Sequence, residues 1–215
     1  MTRAALARRM ALCCRQLAAA GLIAGQDGNL SVRLPNGRIL VTPRGRIKAL
    51  LSAADMVEVT LEGHAVGAAR RSRRKPTSEL DLHLRVLRHR PDVQAVVHAH
   101  PPTATGFAVA GQEIPANVLP ELIFVVGRVP IVPYGMPGTP ELGDRIVPFL
   151  AGADALLLAN HGAVTMGRTL DQAWIRMESL EHAARILVAA RAIGDVRPLD
   201  AAAVARLEAL RERNG

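Results

Sequence analysis

The run from Val93 to Val97 leads straight into His98-Ala99-His100 and stops at Pro101-Pro102. A short β-branched run closed by breakers predicts a buried strand, and the period of two along a strand puts both imidazoles on one face. A second such run, Ala155 to Leu158, ends at Asn160-His161-Gly162. Helical periods alternate with these strands: an amphipathic helix over residues 3 to 20, a helix opening near Ser78, others over 103 to 109 and 139 to 150, a long one from Leu170 to Ile193, and a last one over 201 to 211. Asn29 to Thr42 alternates around Pro35-Asn36-Gly37, a hairpin signal. A second hairpin is expected from Met56 to Val66, and a further strand near Val129 to Val132. The pattern predicts one α/β domain spanning residues 1–215, without repeat or linker.

Composition narrows the function classes. The chain has 27 Lys plus Arg against 19 Asp plus Glu, so the balance is 27 − 19 = +8. That charge invites a nucleic-acid reading. However, only Lys48 and Lys75 are lysines, the arginines are dispersed from Arg3 to Arg213, and the five aromatics (three Phe, one Tyr, one Trp) provide no stacking platform. No nucleic-acid partner is expected. The only cysteines, Cys13 and Cys14, are adjacent, which suits a reducing, cytoplasmic setting. No apolar run reaches the ~20 residues of a membrane helix, so no membrane partner is expected either.

The residues that carry chemistry are few. His98, His100 and His161 lie at strand ends from which they can converge, and three neutral imidazoles around a divalent ion with one open position make a catalytic zinc arrangement. Strand-end histidines satisfied by backbone are the competing reading. Glu79 follows Ser78 at a helix start, where Ser78 with Asp81 three residues on resembles a capping box. A carboxylate there either stabilises the first turn or serves as a fourth ligand that dissociates to carry protons. Gln26-Asp27-Gly28-Asn29-Leu30-Ser31, Thr42-Pro43-Arg44-Gly45 and Thr77-Ser78 are donor-rich turns suited to a phosphate monoester, or to nothing beyond turning the chain.

GQDGNLS, VTPRG, PTSE, AVVHAH and LANHG, in this order and at these separations, resemble the class II aldolase and adducin-head family, in particular its L-fuculose-1-phosphate aldolase branch. The resemblance runs from about Leu6 to Ile193. It implies a single α/β/α sandwich around a largely antiparallel sheet, usually assembled as a cyclic homotetramer with sites at subunit interfaces. It implies that His98, His100 and His161 bind Zn²⁺ or another divalent transition metal, that Glu79 is the catalytic acid/base, and that Gly28, Asn29, Thr42, Gly45, Thr77 and Ser78 hold a sugar phosphate. The implied reaction is cleavage of a short-chain ketose 1-phosphate to dihydroxyacetone phosphate and an aldehyde through a metal-stabilised enediolate.

Dehydratase, decarboxylase and 4-epimerase chemistry on the same fold are the alternatives, with a non-catalytic adducin-like scaffold beyond them. Family epimerases carry Asp where this chain has Glu79. The family aldolase takes tyrosines from a neighbouring chain; here Leu119 falls near the first, Tyr134 is the sole tyrosine, and Glu121 is a possible substitute donor. Arg44 stands where a small polar residue is usual and suits a phosphate or carboxylate. His83, one turn after Glu79, is placed to orient it, whereas His64, His89 and His182 are assigned to packing or surface. The cluster Arg70, Arg71, Arg73, Arg74 and Lys75 runs into Pro76-Thr77-Ser78-Glu79 and either steers an anionic substrate or forms a solvated loop.

Overall fold

The computed structural model describes residues 1–67 and 74–214, so Arg70, Arg71 and Arg73 of the basic stretch lie outside the described residues. Helix α1 (Arg3–Ala19) begins at Thr2, whose Oγ1 accepts from Ala5 N, and buries Ala7, Met10, Cys13, Cys14 and Leu17. These positions recur at the three- and four-residue spacing of one helical face. Strands β1 (Asn29–Arg33) and β2 (Ile39–Val41) pair antiparallel around the Asn-Gly turn, in which Gly37 takes φ +79° and Asn36 Oδ1 accepts from Arg38 N. Strand β3 (Val57–Val59) follows. The second expected hairpin reduces to a single bridge between Val59 and Ala65.

Helix α2 (Leu80–His89), strand β4 (Ala95–Ala99), helix α3 (Pro102–Val109), a π-helical turn at Leu122–Val126, strand β5 (Ile131–Val132) and helix α4 (Pro140–Ile146) come next. Strands β6 (Ala155–Leu158) and β7 (Gly162–Gly167) and helices α5 (Leu170–Ile193) and α6 (Ala201–Asn214) complete the chain. The strand β7 is absent from the expectation. All six of its residues are buried, so it shows no polar alternation, and glycine stands at both ends.

The sheet order is β3-β2-β1-β4-β7-β6-β5. Its neighbours are antiparallel except β5 and β6, which run parallel. The sheet is therefore mixed, with one parallel pairing among the six of the described residues, where the resemblance implies a largely antiparallel one. The physical cause is the connection: α4 carries the chain back to the starting end before β6 begins, and a helical crossover yields a parallel pair.

Helices cover both faces. Leu30, Val32, Leu40, Val97 and Leu157 face α1, α3 and α5, while Ile39, Val41, Val96, Leu156, Val164 and Met166 face α2 and α4. The strand β4 is buried along its whole length, which seats His98 at its end without exposure. Among the described residues no helix is long and apolar enough to cross a membrane.

Candidate metal centre

The three histidines come together at the C-terminal ends of β4 and β6. His98 lies on β4, His100 one residue past it, and His161 in the turn between β6 and β7. One ring nitrogen from each lies within 4.8 Å of the others. The His98 Nδ1–H donates to Ala163 O at 2.9 Å, which directs Nε2 inward. There it sits 3.2 Å from His100 Nε2.

Two glycines make this convergence possible. Gly28 has φ +70°, and a Cβ on it would lie 2.6 Å from Ile23 Cγ2 and 2.9 Å from the His98 carbonyl. A Cβ on Gly162 would lie 2.6 Å from Ala99 O and 2.6 Å from His100 Cδ2.

Glu79 enters from the face covered by α2. Its Oε2 lies 3.1 Å from His98 Nε2 and accepts from Asn29 Nδ2 at 2.8 Å. Its Oε1 lies 3.3 Å from His161 Nε2, yet this buried oxygen has no hydrogen-bond partner. Burial pushes the carboxyl up, but the facing His98, the Asn29 hydrogen bond and His161 together outweigh it and hold Glu79 well below the ordinary carboxylate range. Burial lowers His98 in turn, and Glu79 raises it above its ordinary value. Burial together with His98 brings His161 down to about 4 and pulls His100 down as well.

These residues fit a divalent cation. Three ring nitrogens facing one another at this spacing cannot all carry protons, and the partnerless Oε1 lies 3.3 Å from His161 Nε2. Imidazole donors suit several transition metals. His100 Nδ1 lies 3.7 Å from Asp27 Oδ2, an outer carboxylate for a ring that would face a metal through Nε2.

The expected helix cap is corrected. Leu80 is the first helical residue, and Glu79 rather than Ser78 occupies the cap position, with no side-chain capping bond. Thr77 N donates to Thr42 O and Pro43 bridges Pro76, so the chain stays extended through Thr77 and the helix cannot start sooner. Thr77 Oγ1 accepts from Glu79 N at 3.3 Å, and Asp81 instead bonds Arg85 at 3.4 Å.

The turns expected to hold phosphate do meet. Thr42 and Thr77 are buried and joined through backbone, and Thr42 Oγ1 also accepts from Leu30 N, which follows Asn29. Ser78 and Gly45 are exposed, as is Arg44, whose backbone N donates to Lys75 O. Arg74 of the basic stretch lies 3.8 Å from Asp55 and reaches Ala54 O. Asn29 is buried with its amide engaged by Glu79 and His83. His83 is thus not a direct partner of the carboxylate. His64, His89 and His182 are exposed.

Lys48 belongs to none of the motifs that point to the site. It is 2% exposed, and Nζ donates to Gln26 O at 2.6 Å and to Arg46 O at 3.2 Å, clamping the Gly28 turn to the loop after Gly45. Its rarity was the available signal, since the chain has two lysines among 27 cations.

Residues 8–188 match the model of the Class II Aldolase and Adducin N-terminal domain. The chain belongs to this family. The 3-oxo-tetronate 4-phosphate decarboxylase of Pectobacterium atrosepticum is 34% identical to it over 171 residues, 78% of this chain and 76% of that protein. The L-fuculose phosphate aldolase of Methanococcus vannielii is 34% identical over 164 residues, 76% of this chain and 85% of that one. Among solved structures, YgbL from Escherichia coli, described as an aldolase, epimerase or decarboxylase, superposes with a TM-score of 0.87 at 31% identity, covering 96% of this chain and 99% of that one. The class II aldolase family thus includes both decarboxylases and aldolases among relatives equally identical to this chain.

Proposed function

We propose that the chain is a metal-dependent carbon–carbon lyase that releases dihydroxyacetone phosphate from a short-chain sugar phosphate. The observation that carries this reading is Glu79 Oε1, a buried carboxylate oxygen without a hydrogen-bond partner beside three convergent imidazoles. His98, His100 and His161 would hold a divalent cation, zinc in our assignment, which when bound would supply Lewis-acid polarisation of the substrate carbonyl. Glu79 is ionised at rest; during turnover its Oε1 takes up a proton from solvent and delivers it to the carbon left by cleavage, returning to the ionised form. Oε2, anchored by Asn29, keeps the carboxylate aimed during that transfer. Gly28, Asn29, Thr42, Gly45, Thr77 and Ser78 bind the phosphate in this reading, in a cytoplasmic homotetramer.

The names of the relatives unite in one chemical step. A ketose 1-phosphate that loses an aldehyde and a 3-oxo-tetronate 4-phosphate that loses carbon dioxide both leave the enediolate of dihydroxyacetone phosphate, which one protonation completes. Our sequence-based expectation is aldehyde release. Decarboxylation is the second reading, supported by the 34% identity to a 3-oxo-tetronate 4-phosphate decarboxylase. Aldol cleavage needs a group to take the substrate hydroxyl proton, while loss of carbon dioxide does not.

The test is zinc-loaded protein incubated with ketose 1-phosphates and with 3-oxo-tetronate 4-phosphates. Dihydroxyacetone phosphate is the expected common product, and the co-product, aldehyde or carbon dioxide, decides between the two readings. Absence of dihydroxyacetone phosphate from every substrate would overturn both.

A further inference from the structure

Behind Glu79 its Asn29 anchor continues into a buried chain of side chains, and two of its members, His83 and Ser31, have no part in the proposed chemistry. Asn29 and Ser31 lie two residues apart on the same face of β1, and Asn29 stands opposite His98 in the β1–β4 register. His83 lies one turn after Glu79 on α2 and is fully buried against both. Ser31 Oγ is 2.8 Å from His83 Nδ1, His83 Nε2 contacts Asn29 Oδ1, and Asn29 Nδ2 is 2.8 Å from Glu79 Oε2.

The polarity of this chain follows from its last member. An ionised carboxylate only accepts, so Asn29 must turn its NH₂ toward Glu79. Its Oδ1 then faces His83, and Nε2 of that ring must carry the hydrogen. Nδ1 is left as an acceptor, and Ser31 donates its hydroxyl to it. With the ring neutral, one arrangement satisfies all three contacts of this chain. The other tautomer sets a ring lone pair against Asn29 Oδ1, and flipping the amide to relieve that clash sets Oδ1 against the carboxylate.

We propose that His83 is a positioning residue: through its Nε2–H it locks the Asn29 amide, and the locked amide fixes where Glu79 Oε2 sits. This inference rests on the reading of Glu79 as the proton carrier. It extends the sequence-based idea of His83 as an orienting partner by routing its effect through Asn29, a residue otherwise expected to serve the phosphate.

Two variants of nearly equal polarity separate this role from simple packing. His83→Gln places an amide N–H near the position of Nε2 and keeps the bond to Asn29. His83→Asn keeps an acceptor for Ser31 but withdraws the donor from Asn29. For full-length protein releasing dihydroxyacetone phosphate, we expect kcat to fall roughly ten- to hundredfold in His83→Asn and no more than about threefold in His83→Gln. KM and bound metal per chain should change little in either. Independently of turnover, a long-range proton–nitrogen spectrum of histidine-labelled protein should show His83 as the Nε2–H tautomer. Equal losses in the two variants, or an Nδ1–H tautomer, would overturn the proposal. Glu79→Gln with normal turnover would remove the reading on which it rests, and the proposal with it. Loss in Glu79→Gln alongside equal His83 variants would remove the proposal alone.

Discussion

Two clusters of charge cap opposite ends of the same strands, and they are built on different terms. At the far end from the histidines, Asp154 sits just before β6. Its Oδ1 takes Arg90 at 2.9 Å, while its Oδ2 takes Arg176 and Arg211, each at 2.8 Å. The arginines are further satisfied by carbonyls: Arg90 by Leu150 and Ala153, Arg176 by Val125 and Met166. At the histidine end, Glu79 Oε1 and His161 Nδ1 are buried with no hydrogen-bond partner. A structural ion cluster closes on itself, because unmet buried valence costs stability. A cluster left open at its centre has kept that cost in exchange for something to bind.

That contrast breaks if variants at the two ends behave alike. The largest effect is expected from Glu79→Gln, which should lower kcat about 10²- to 10⁴-fold while metal analysis finds the ion still bound. Unchanged turnover would make the open cluster a second structural one.

Next comes acid sensitivity. Burial and the nearby His98 bring His83 down from 6.5 to about 3. Its neutral form is favoured in the folded state, so the unfolded chain takes up the extra proton first. The stability fully present above pH 6.5 should therefore fall by a few kcal/mol as pH drops toward 3. Denaturant unfolding across that window should show a shallower slope for His83→Gln than for the parent chain.

Asp154→Ala at the closed end should cost on the order of 3 kcal/mol of unfolding free energy, since it removes the carboxylate shared by three guanidinium groups. The kcat/KM of the folded fraction should stay the same. Arg211→Ala, which removes one partly exposed member on α6, should cost about 1 kcal/mol. A loss of turnover in either variant, with unfolding free energy unchanged, would dissolve the division between the two ends.

The open cluster was far more legible in the sequence than the closed one. His98 and His100 announce a shared face by their spacing, and β6 and α5 occupy the residues their patterns predict, Ala155–Leu158 and Leu170–Ile193. Asp154, Arg90, Arg176 and Arg211 come from four segments with no common motif, and only tertiary packing joins them. The strand β7 escaped because a strand buried on both faces loses its alternation. Ser78 misled because cap preference is local, whereas the start of α2 is dictated by the pairing of Thr77 with Thr42 across the fold. The relay through His83 depends on which way an amide points, which no residue pattern encodes.

The two glycines that flank the end of β4 give the centre an unusual mutational profile. Gly28 and Gly162 contribute no donor, charge or ring, yet the space beside each is already taken by the histidine strand. In a library sampling every residue at every position, both should rank with the metal ligands in intolerance, and even alanine should be rejected. Drift within this family can therefore rewrite the pocket around the centre far more freely than these two positions, where neighbouring atoms already occupy the space a side chain would need.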